Sequence, residues 1–328
     1  MKSLAQDIKT GEFKNIYLLF GEEDYLKRQY KNRLQAALVP PEDSVNLNCY
    51  EGKNISVKEL IDQGETLPFF ADRRLLVVED SGFFKSASAE LAGYLEHVPT
   101  TTCFLFVEDE VDKRGKLYKT VKSKGRAVEF VRQKEETLVR WLMGILQREN
   151  KNITRKACTL FLEKTGNDMN NIHTELEKLL SYTADHEVIT PEDVEKICTT
   201  QTVGRVFEMV NAIAEKNQKR ALELYYDLLS LREPPMRILY LVTRQFNQLL
   251  QVKELRRYGY DTGAVASKMA IQPFAARNCV RQAEYFSEEQ IRGIVEYCIQ
   301  TEEAVKTGDL NEKMALELVI AMAGAKKS

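Results

Sequence analysis

The feature that most constrains the fold is an alternation of short apolar segments and helix-forming segments in the amino-terminal part of the chain. Five short segments are predicted strands: residues 16–20, 46–50, 75–78, 102–107 and 127–130, of which 16–20, 75–78 and 102–107 are the most apolar. Polar, helix-favouring segments separate them, and Gly21 and Gly52 follow two of the apolar runs. Continuous apolar strands that alternate with helices are typical of a parallel sheet buried on both faces. The sequence therefore predicts an α/β domain with a parallel sheet and helices on both faces.

Helical periodicity replaces this alternation after Phe130. Residues 190–193, Thr-Pro-Glu-Asp, combine a capping hydroxyl, a proline at the first helical position and carboxylates near the positive end of the helix dipole. Ser287 and Gln290 have the spacing of a capping box. We therefore expect three domains: an α/β domain over residues 1–140, a small helical bundle over 141–203 and an all-helical domain over 204–328.

Composition and charge exclude several classes of protein. The chain has 328 residues, of which 44% are hydrophobic and 29% are charged, so wholesale disorder is excluded. A net charge of -2 excludes nucleic-acid binding by bulk positive charge alone. No segment approaches the ~20 apolar residues that cross a bilayer. Residues 1–7 lack the apolar core of a signal peptide, so we expect a cytoplasmic protein that does not associate with membranes.

The turn after the first predicted strand lacks the chemistry of a nucleotide site. Phosphate loops need several glycines, whose backbone N–H groups approach the phosphate, and they end in Gly-Lys-Ser or Gly-Lys-Thr. Here Gly21 is followed by three carboxylates, Glu22, Glu23 and Asp24. Nucleophile elbows, zinc-protease motifs and kinase motifs are absent, and the 6 cysteines and 3 histidines are scattered singly. We therefore expect no catalytic residue in this chain, no cofactor and no metal site.

A short apolar segment before the third predicted strand is a candidate binding site, made of Leu67, Pro68, Phe69 and Phe70. Two consecutive aromatic residues do not enter one core from a single helix face, and the preceding proline restricts how they are presented. Exposed aromatic pairs are typical anchors for a partner's pocket. The alternative is that one phenylalanine caps the core of the sheet and the other packs against a loop. Spacing alone favours neither interpretation.

A basic stretch is the second candidate site. It contains Lys113, Arg114, Lys116, Lys119, Lys122, Lys124 and Arg126, with no acidic residue inside that span. Contact with DNA phosphates, or with another subunit, is one interpretation. A solvated helix face is the commoner explanation for such a run of charge.

These motifs together resemble the delta subunits of bacterial DNA polymerase III. In the amino-terminal part the similarity is carried by IYLLFGEE (16–23), ETLPFF (65–70) with RR (73–74), and VDKR (111–114). Further along it is carried by ELEKL (175–179), ITPEDV (189–194) and VF (206–207). No single motif is decisive. Their order and spacing carry the resemblance, which runs from the first strand to the final helices.

The resemblance implies a clamp-loader subunit that grips the ring-shaped sliding clamp and opens it during DNA replication. It implies an AAA+-like first domain without a working ATP site, a three-helix lid domain, and a helical collar domain that assembles with other clamp-loader subunits. Primer-template DNA would be contacted in the assembled complex. The chain would then belong to a nucleotidyltransferase, the DNA polymerase III holoenzyme, by assembly only.

The family's clamp-binding hydrophobic pair maps onto Phe69 and Phe70. The usual pair is an aliphatic residue followed by phenylalanine, so Phe69 departs from the pattern. Two other functions stay open: an AAA+ ATPase with a degenerate phosphate loop, and a stand-alone DNA-binding protein that uses the basic stretch. The ATP affinity of the isolated chain distinguishes the first alternative, and the salt dependence of DNA binding by the free chain distinguishes the second.

Overall fold

The computed structural model describes residues 2–86, 88–200 and 202–324. The chain divides into two compact units, whose boundary in sequence lies between Gln133 and Lys134. The first unit therefore ends before residue 140, where the sequence predicts the end of the α/β domain. The finer division of the second unit, at residues 203 and 204, stays a prediction.

The first unit contains a five-stranded sheet, and its strand pairs are parallel. The strands are β1 (Ile16–Phe20), β2 (Leu47–Glu51), β3 (Arg74–Glu79), β4 (Thr102–Glu108) and β5 (Arg126–Glu129). Their order across the sheet is β2-β3-β4-β1-β5. The helices are α1 (Lys2–Thr10), α2 (Asp24–Leu38), α3 (Val57–Glu65), α4 (Ala89–Tyr94) and α5 (Lys116–Lys124). The predicted parallel sheet is confirmed, and α1 is an addition to the predicted elements.

Helices cover both faces of this sheet. Alternate residues of each strand point to opposite faces, so each face has its own core. Leu18 and Leu76 lie on one face, in a core that includes residues of α3, α4 and α5. Tyr17 and Leu75 lie on the other face, in a core that includes residues of α1 and α2. All five residues of β1 are buried, which explains its uninterrupted apolar sequence. The predicted fold class of this part, a parallel sheet with helices on both faces, is confirmed.

The second unit is mainly helical, as predicted. Its helices are α6 (Glu135–Arg148), α7 (Arg155–Thr165), α8 (Met169–Tyr182), α9 (Pro191–Ile197), α10 (Thr202–Ala214), α11 (Gln218–Ser230), α12 (Pro235–Arg257), α13 (Thr262–Lys268), α14 (Pro273–Glu284), α15 (Glu288–Thr307) and α16 (Glu312–Gly324). Both predicted capping signals are present: Thr190 and Asp193 form a capping box at α9, and Ser287 and Gln290 form one at α15. Within the described ranges, no helix carries an apolar stretch long enough to cross a membrane.

One short feature of the second unit was not predicted. The strands β6 (Asn152–Ile153) and β7 (Val188–Ile189) form a parallel two-stranded sheet, whereas the sequence predicts no strand after Phe130. Two residues are too few to produce a periodic signal, so sequence patterning does not reveal such a pair.

Candidate functional site

Residues 67–70 form an exposed loop between α3 and β3, which we call the apolar loop. Leu67 exposes 74% of its surface, Phe69 61% and Phe70 95%. Pro68 is partly buried. Neither phenylalanine enters the core of the sheet, so the alternative in which one of them caps that core is wrong. The apolar loop therefore presents large hydrophobic side chains to solvent, which is unusual for a surface without a binding role.

The two phenylalanine rings form a compact unit with a defined geometry. Their centroids lie 4.6 Å apart and their planes meet at 85°, an edge-to-face arrangement that aromatic pairs favour. Phe70 has a backbone φ of 48°, in the left-handed region that bulky residues rarely adopt. Strained backbone of this kind persists only where the surrounding structure imposes it, and it is concentrated at functional sites.

A buried asparagine imposes part of this geometry. Asn46, which is 1% exposed, precedes β2 and reaches across to Phe69. Its Oδ1 accepts a hydrogen bond from the Phe69 N–H at 2.7 Å, and its Nδ2 donates to the Phe69 carbonyl at 2.9 Å. Sequence reasoning missed this role. The sequence carried no signal for it, because Asn46 and Phe69 are 23 residues apart and only the fold brings them together.

Arg74, the first residue of β3, lies behind the apolar loop. Its side chain is almost fully buried. One guanidinium nitrogen donates to the side-chain oxygens of Asn48 and Gln63, at 3.0 and 3.3 Å. The other donates to the carbonyl of Leu67 at 3.5 Å, which is a weak contact. The apolar loop is thus tied to the body of the first unit at Leu67 as well as at Phe69.

The turn after β1 is held by contacts with Phe130, Arg132 and Lys27. Gly21 has φ +114°, and a Cβ there would lie 2.4 Å from the carbonyl oxygen of Phe130, so only glycine fits. Glu23 is fully buried, and one of its carboxylate oxygens lies 3.4 Å from the Arg132 guanidinium. Two of the three carboxylates in this turn therefore have structural partners, since Asp24 pairs with Lys27 at 3.0 Å.

Lys27 lies in the first turn of α2, the helix that follows this turn, and carboxylates of the same unit neutralise it. Its ammonium group lies 2.5 Å from Asp109 and also contacts the carbonyl of Glu108 at 3.4 Å. Burial lowers the pKa of Lys27, but the hydrogen bonds to Asp109 and Asp24 outweigh burial, so the pKa is raised overall. Burial has the opposite effect on an acid and raises the pKa of Glu108, because it disfavours the charged carboxylate. Lys27 is thus paired with carboxylates, and the carboxylate of Glu108 accepts hydrogen bonds from the backbone N–H groups of Ser81 and Gly82.

The structure separates the basic stretch into residues with different roles. Arg126 donates to the buried carboxylate of Asp7 at 2.7 and 2.9 Å, a bidentate pair that joins β5 to α1. Arg126 is therefore committed to the fold of the first unit. The sequence did not reveal this pair, because Asp7 and Arg126 are 119 residues apart.

The remaining basic residues are exposed. Lys113 pairs with Glu129 at 2.7 Å, and Arg114 pairs with Asp112 at 3.1 Å, so acids outside the basic span partly offset its charge. The four lysines on α5 are also exposed: Lys116, Lys119, Lys122 and Lys124. Residues 116, 119 and 122 are spaced three apart and share one face of the helix. Among residues 2–86, 88–200 and 202–324, no group of three or more His, Cys, Asp or Glu side chains is arranged to hold a metal ion.

Known proteins match this chain over most of its length. A model of the DNA polymerase III delta subunit family matches residues 17–131, and a model of the C-terminal domain of that subunit matches residues 204–323. The DNA polymerase III subunit delta of Bacillus subtilis is 27% identical in an alignment 327 positions long, gaps included, that covers 96% of this chain and 94% of that protein. A probable subunit delta of Aquifex aeolicus is 23% identical and spans 78% of this chain and 76% of its own length.

A solved structure gives the same result at the level of the fold. The Bacillus subtilis DNA clamp loader delta protein superposes with a TM-score of 0.64 at 26% identity, covering 98% of this chain and 99% of its own. Both the amino-terminal sheet domain and the carboxy-terminal helices are thus matched by models of one protein family. The process in which this chain takes part is DNA replication. The chain belongs to the family of DNA polymerase III delta subunits, as the order of its motifs predicts.

Proposed function

We propose that this chain binds a sliding clamp through the apolar loop and opens the ring, so that the clamp can be loaded on primed DNA. One observation carries the proposal: Phe69 and Phe70 are 61% and 95% exposed on a loop that Asn46 and Arg74 hold by hydrogen bonds. Buried aromatic anchors supply most of the binding energy in many protein interfaces. An exposed pair with an ordered geometry is suited to enter a preformed apolar pocket.

Ring opening by this route requires binding energy and no covalent chemistry. A ring closed by non-covalent interfaces opens when a partner binds its open shape more tightly than its closed shape. Burial of a phenylalanine side chain contributes about 1.5–3 kcal/mol. The sheet behind the apolar loop, beginning with β3, would transmit that energy as distortion of a neighbouring clamp interface. The chain itself would catalyse nothing, and its polymerase activity would be that of the assembled holoenzyme.

Other partners follow from the family. Residues 204–328 would form the collar that assembles with further clamp-loader subunits, and ATP bound by those subunits would decide when the apolar loop is exposed. The exposed lysines of α5 would give modest contact with primer-template DNA in the assembled complex. The place of action would be the cytoplasm, at the nucleoid.

A nucleotide-dependent ATPase is the competing function, and the turn after β1 argues against it. Lys27 is already held by Asp24 and Asp109, and a bound phosphate would face those carboxylates. We therefore expect no micromolar ATP affinity in a titration of the isolated chain. Micromolar binding would overturn this interpretation of the turn.

A pull-down with the organism's sliding clamp tests the proposal directly. The wild-type chain and the double variant Phe69→Ala/Phe70→Ala are compared, with and without ATP-bound loader partners. The variant should no longer capture the clamp. It should keep its circular dichroism spectrum and its assembly with the other subunits, because both side chains are largely exposed and contribute little to the fold. Equal capture of the clamp by both proteins would refute the assignment.

A further inference from the structure

We propose that Asn46 is a positioning residue, which holds the apolar loop in its binding-competent shape before the clamp arrives. The inference rests on the proposed function, because it concerns how the same surface binds. Asn46 belongs to the segment that leads into β2, 23 residues before Phe69 in the sequence. Its side chain nevertheless engages both polar backbone atoms of Phe69, at 2.7 and 2.9 Å.

The burial of Asn46 excludes direct contact with a partner. Asn46 is 1% exposed, whereas the phenylalanines that it supports are 61% and 95% exposed. An effect of Asn46 on clamp binding must therefore act through the loop. A hydrogen bond to the N–H and another to the C=O of one residue fix both the place and the orientation of its peptide groups, as neighbouring strands do for each other.

The amide of Asn46 is itself oriented by a neighbour. Asp43 accepts a hydrogen bond from Nδ2 of Asn46 at 2.7 Å, and its other carboxylate oxygen accepts from the backbone N–H groups of Asn46 and Val45 at 3.0 and 3.2 Å. A carboxylate accepts hydrogen bonds only, so it selects the amide orientation in which Nδ2 faces Asp43 and Oδ1 faces the Phe69 N–H. The chain of contacts therefore runs from Asp43 through Asn46 to Phe69.

The loop needs this support because its conformation is unfavourable by itself. Phe70 has φ 48°, and a flexible loop would leave that region for the extended or right-handed helical regions. Anchoring Phe69 restricts the residue that follows it, so the left-handed conformation is kept and the two rings stay edge to face. If only a fraction of molecules held the loop correctly, the apparent dissociation constant would rise by the inverse of that fraction.

The test uses the full chain with the substitution Asn46→Ala and two measurements. Hydrogen exchange should become faster at the Phe69 amide, which loses its acceptor, while the strands of the sheet keep their protection. Clamp affinity in a kinetic binding assay should weaken about tenfold, mainly through slower association, because fewer molecules are competent at the moment of encounter. Asn15→Ala is the matched control, since Asn15 donates to the carbonyls of Pro99, Thr100 and Thr102 in the same unit but makes no hydrogen bond to the apolar loop.

A second variant, Asn46→Asp, keeps the side-chain volume but replaces the Nδ2 donor by an acceptor oxygen and adds a negative charge, so its effect cannot come from a cavity. It should weaken the clamp affinity by a similar factor, because a carboxylate would face both the Phe69 carbonyl and Asp43. Wild-type affinity in both variants would overturn the role of Asn46, as would a loss carried wholly by faster dissociation. If Phe69→Ala/Phe70→Ala also left the affinity unchanged, the proposed function would fail. Loss in that double variant with no change in the Asn46 variants would overturn this inference alone.

Discussion

The clearest quantitative prediction concerns the two rings of the apolar loop, taken one at a time. Full burial of a phenylalanine is worth about 1.5–3 kcal/mol, and the part available for a partner scales with the present exposure. Phe70 is 95% exposed, so Phe70→Ala should weaken clamp binding by about 1.4–2.9 kcal/mol, or roughly 10- to 100-fold. Phe69 is 61% exposed, so Phe69→Ala should cost about 0.9–1.8 kcal/mol, or roughly 5- to 20-fold.

The assay is a titration of the labelled sliding clamp with each full-length variant, with thermal unfolding measured on the same samples. Tyr258→Ala is a matched control, because Tyr258 is an aromatic residue of the second unit with 66% exposure. The unfolding midpoint should change little in all three variants, since exposed side chains contribute little to stability. A larger loss at Phe69 than at Phe70, or no loss at either, would refute the argument that exposure determines the contribution of each ring.

Two further predictions concern the basic residues. Replacing Lys116, Lys119 and Lys122 together by alanine should weaken the salt dependence of DNA binding by the assembled loader. The slope of log affinity against log salt should become shallower by about 3, because each phosphate contact contributes about 0.9. An unchanged slope, measured by fluorescence anisotropy, would show that these lysines are only a solvated helix face. Asp7→Ala should lower the free energy of unfolding by about 3 kcal/mol in a urea titration, because the Arg126 guanidinium and the buried Tyr17 hydroxyl both lose the carboxylate that they bind. An unchanged urea midpoint would contradict a structural role for that pair.

Much of the fold could be predicted because its signals are local. The strand β1 is buried on both faces, so its sequence is apolar without interruption, and the capping boxes at Thr190 and Ser287 lie within four consecutive residues. The lack of phosphate-loop glycines after Gly21 is also visible in a few residues. Features of this kind depend on neighbours along the chain. The mini-sheet of β6 and β7 was missed because each strand has only two residues.

The candidate site was only partly predictable, because its decisive contacts join distant segments. The sequence identified the four residues of the apolar loop, but it could not decide whether Phe69 and Phe70 point into the sheet or into solvent. It gave no sign that Asn46 holds Phe69, or that Asp109 neutralises Lys27 from 82 residues away. It also grouped Arg126 with the exposed lysines, whereas Asp7 commits it to the fold.

By itself the sequence determined the five strands of the first unit, the two capping boxes and the candidate residues for binding, because hydrophobic periodicity and capping chemistry act over a few residues. Only the tertiary structure decided which polar groups meet, which charges neutralise each other and which aromatic rings stay outside the core. Those outcomes depend on the packing of segments that are far apart in the chain. The hydrogen bond between Asn46 and Phe69, for example, forms only when the pairing of β2 with β3 has brought both segments to the same edge of the sheet.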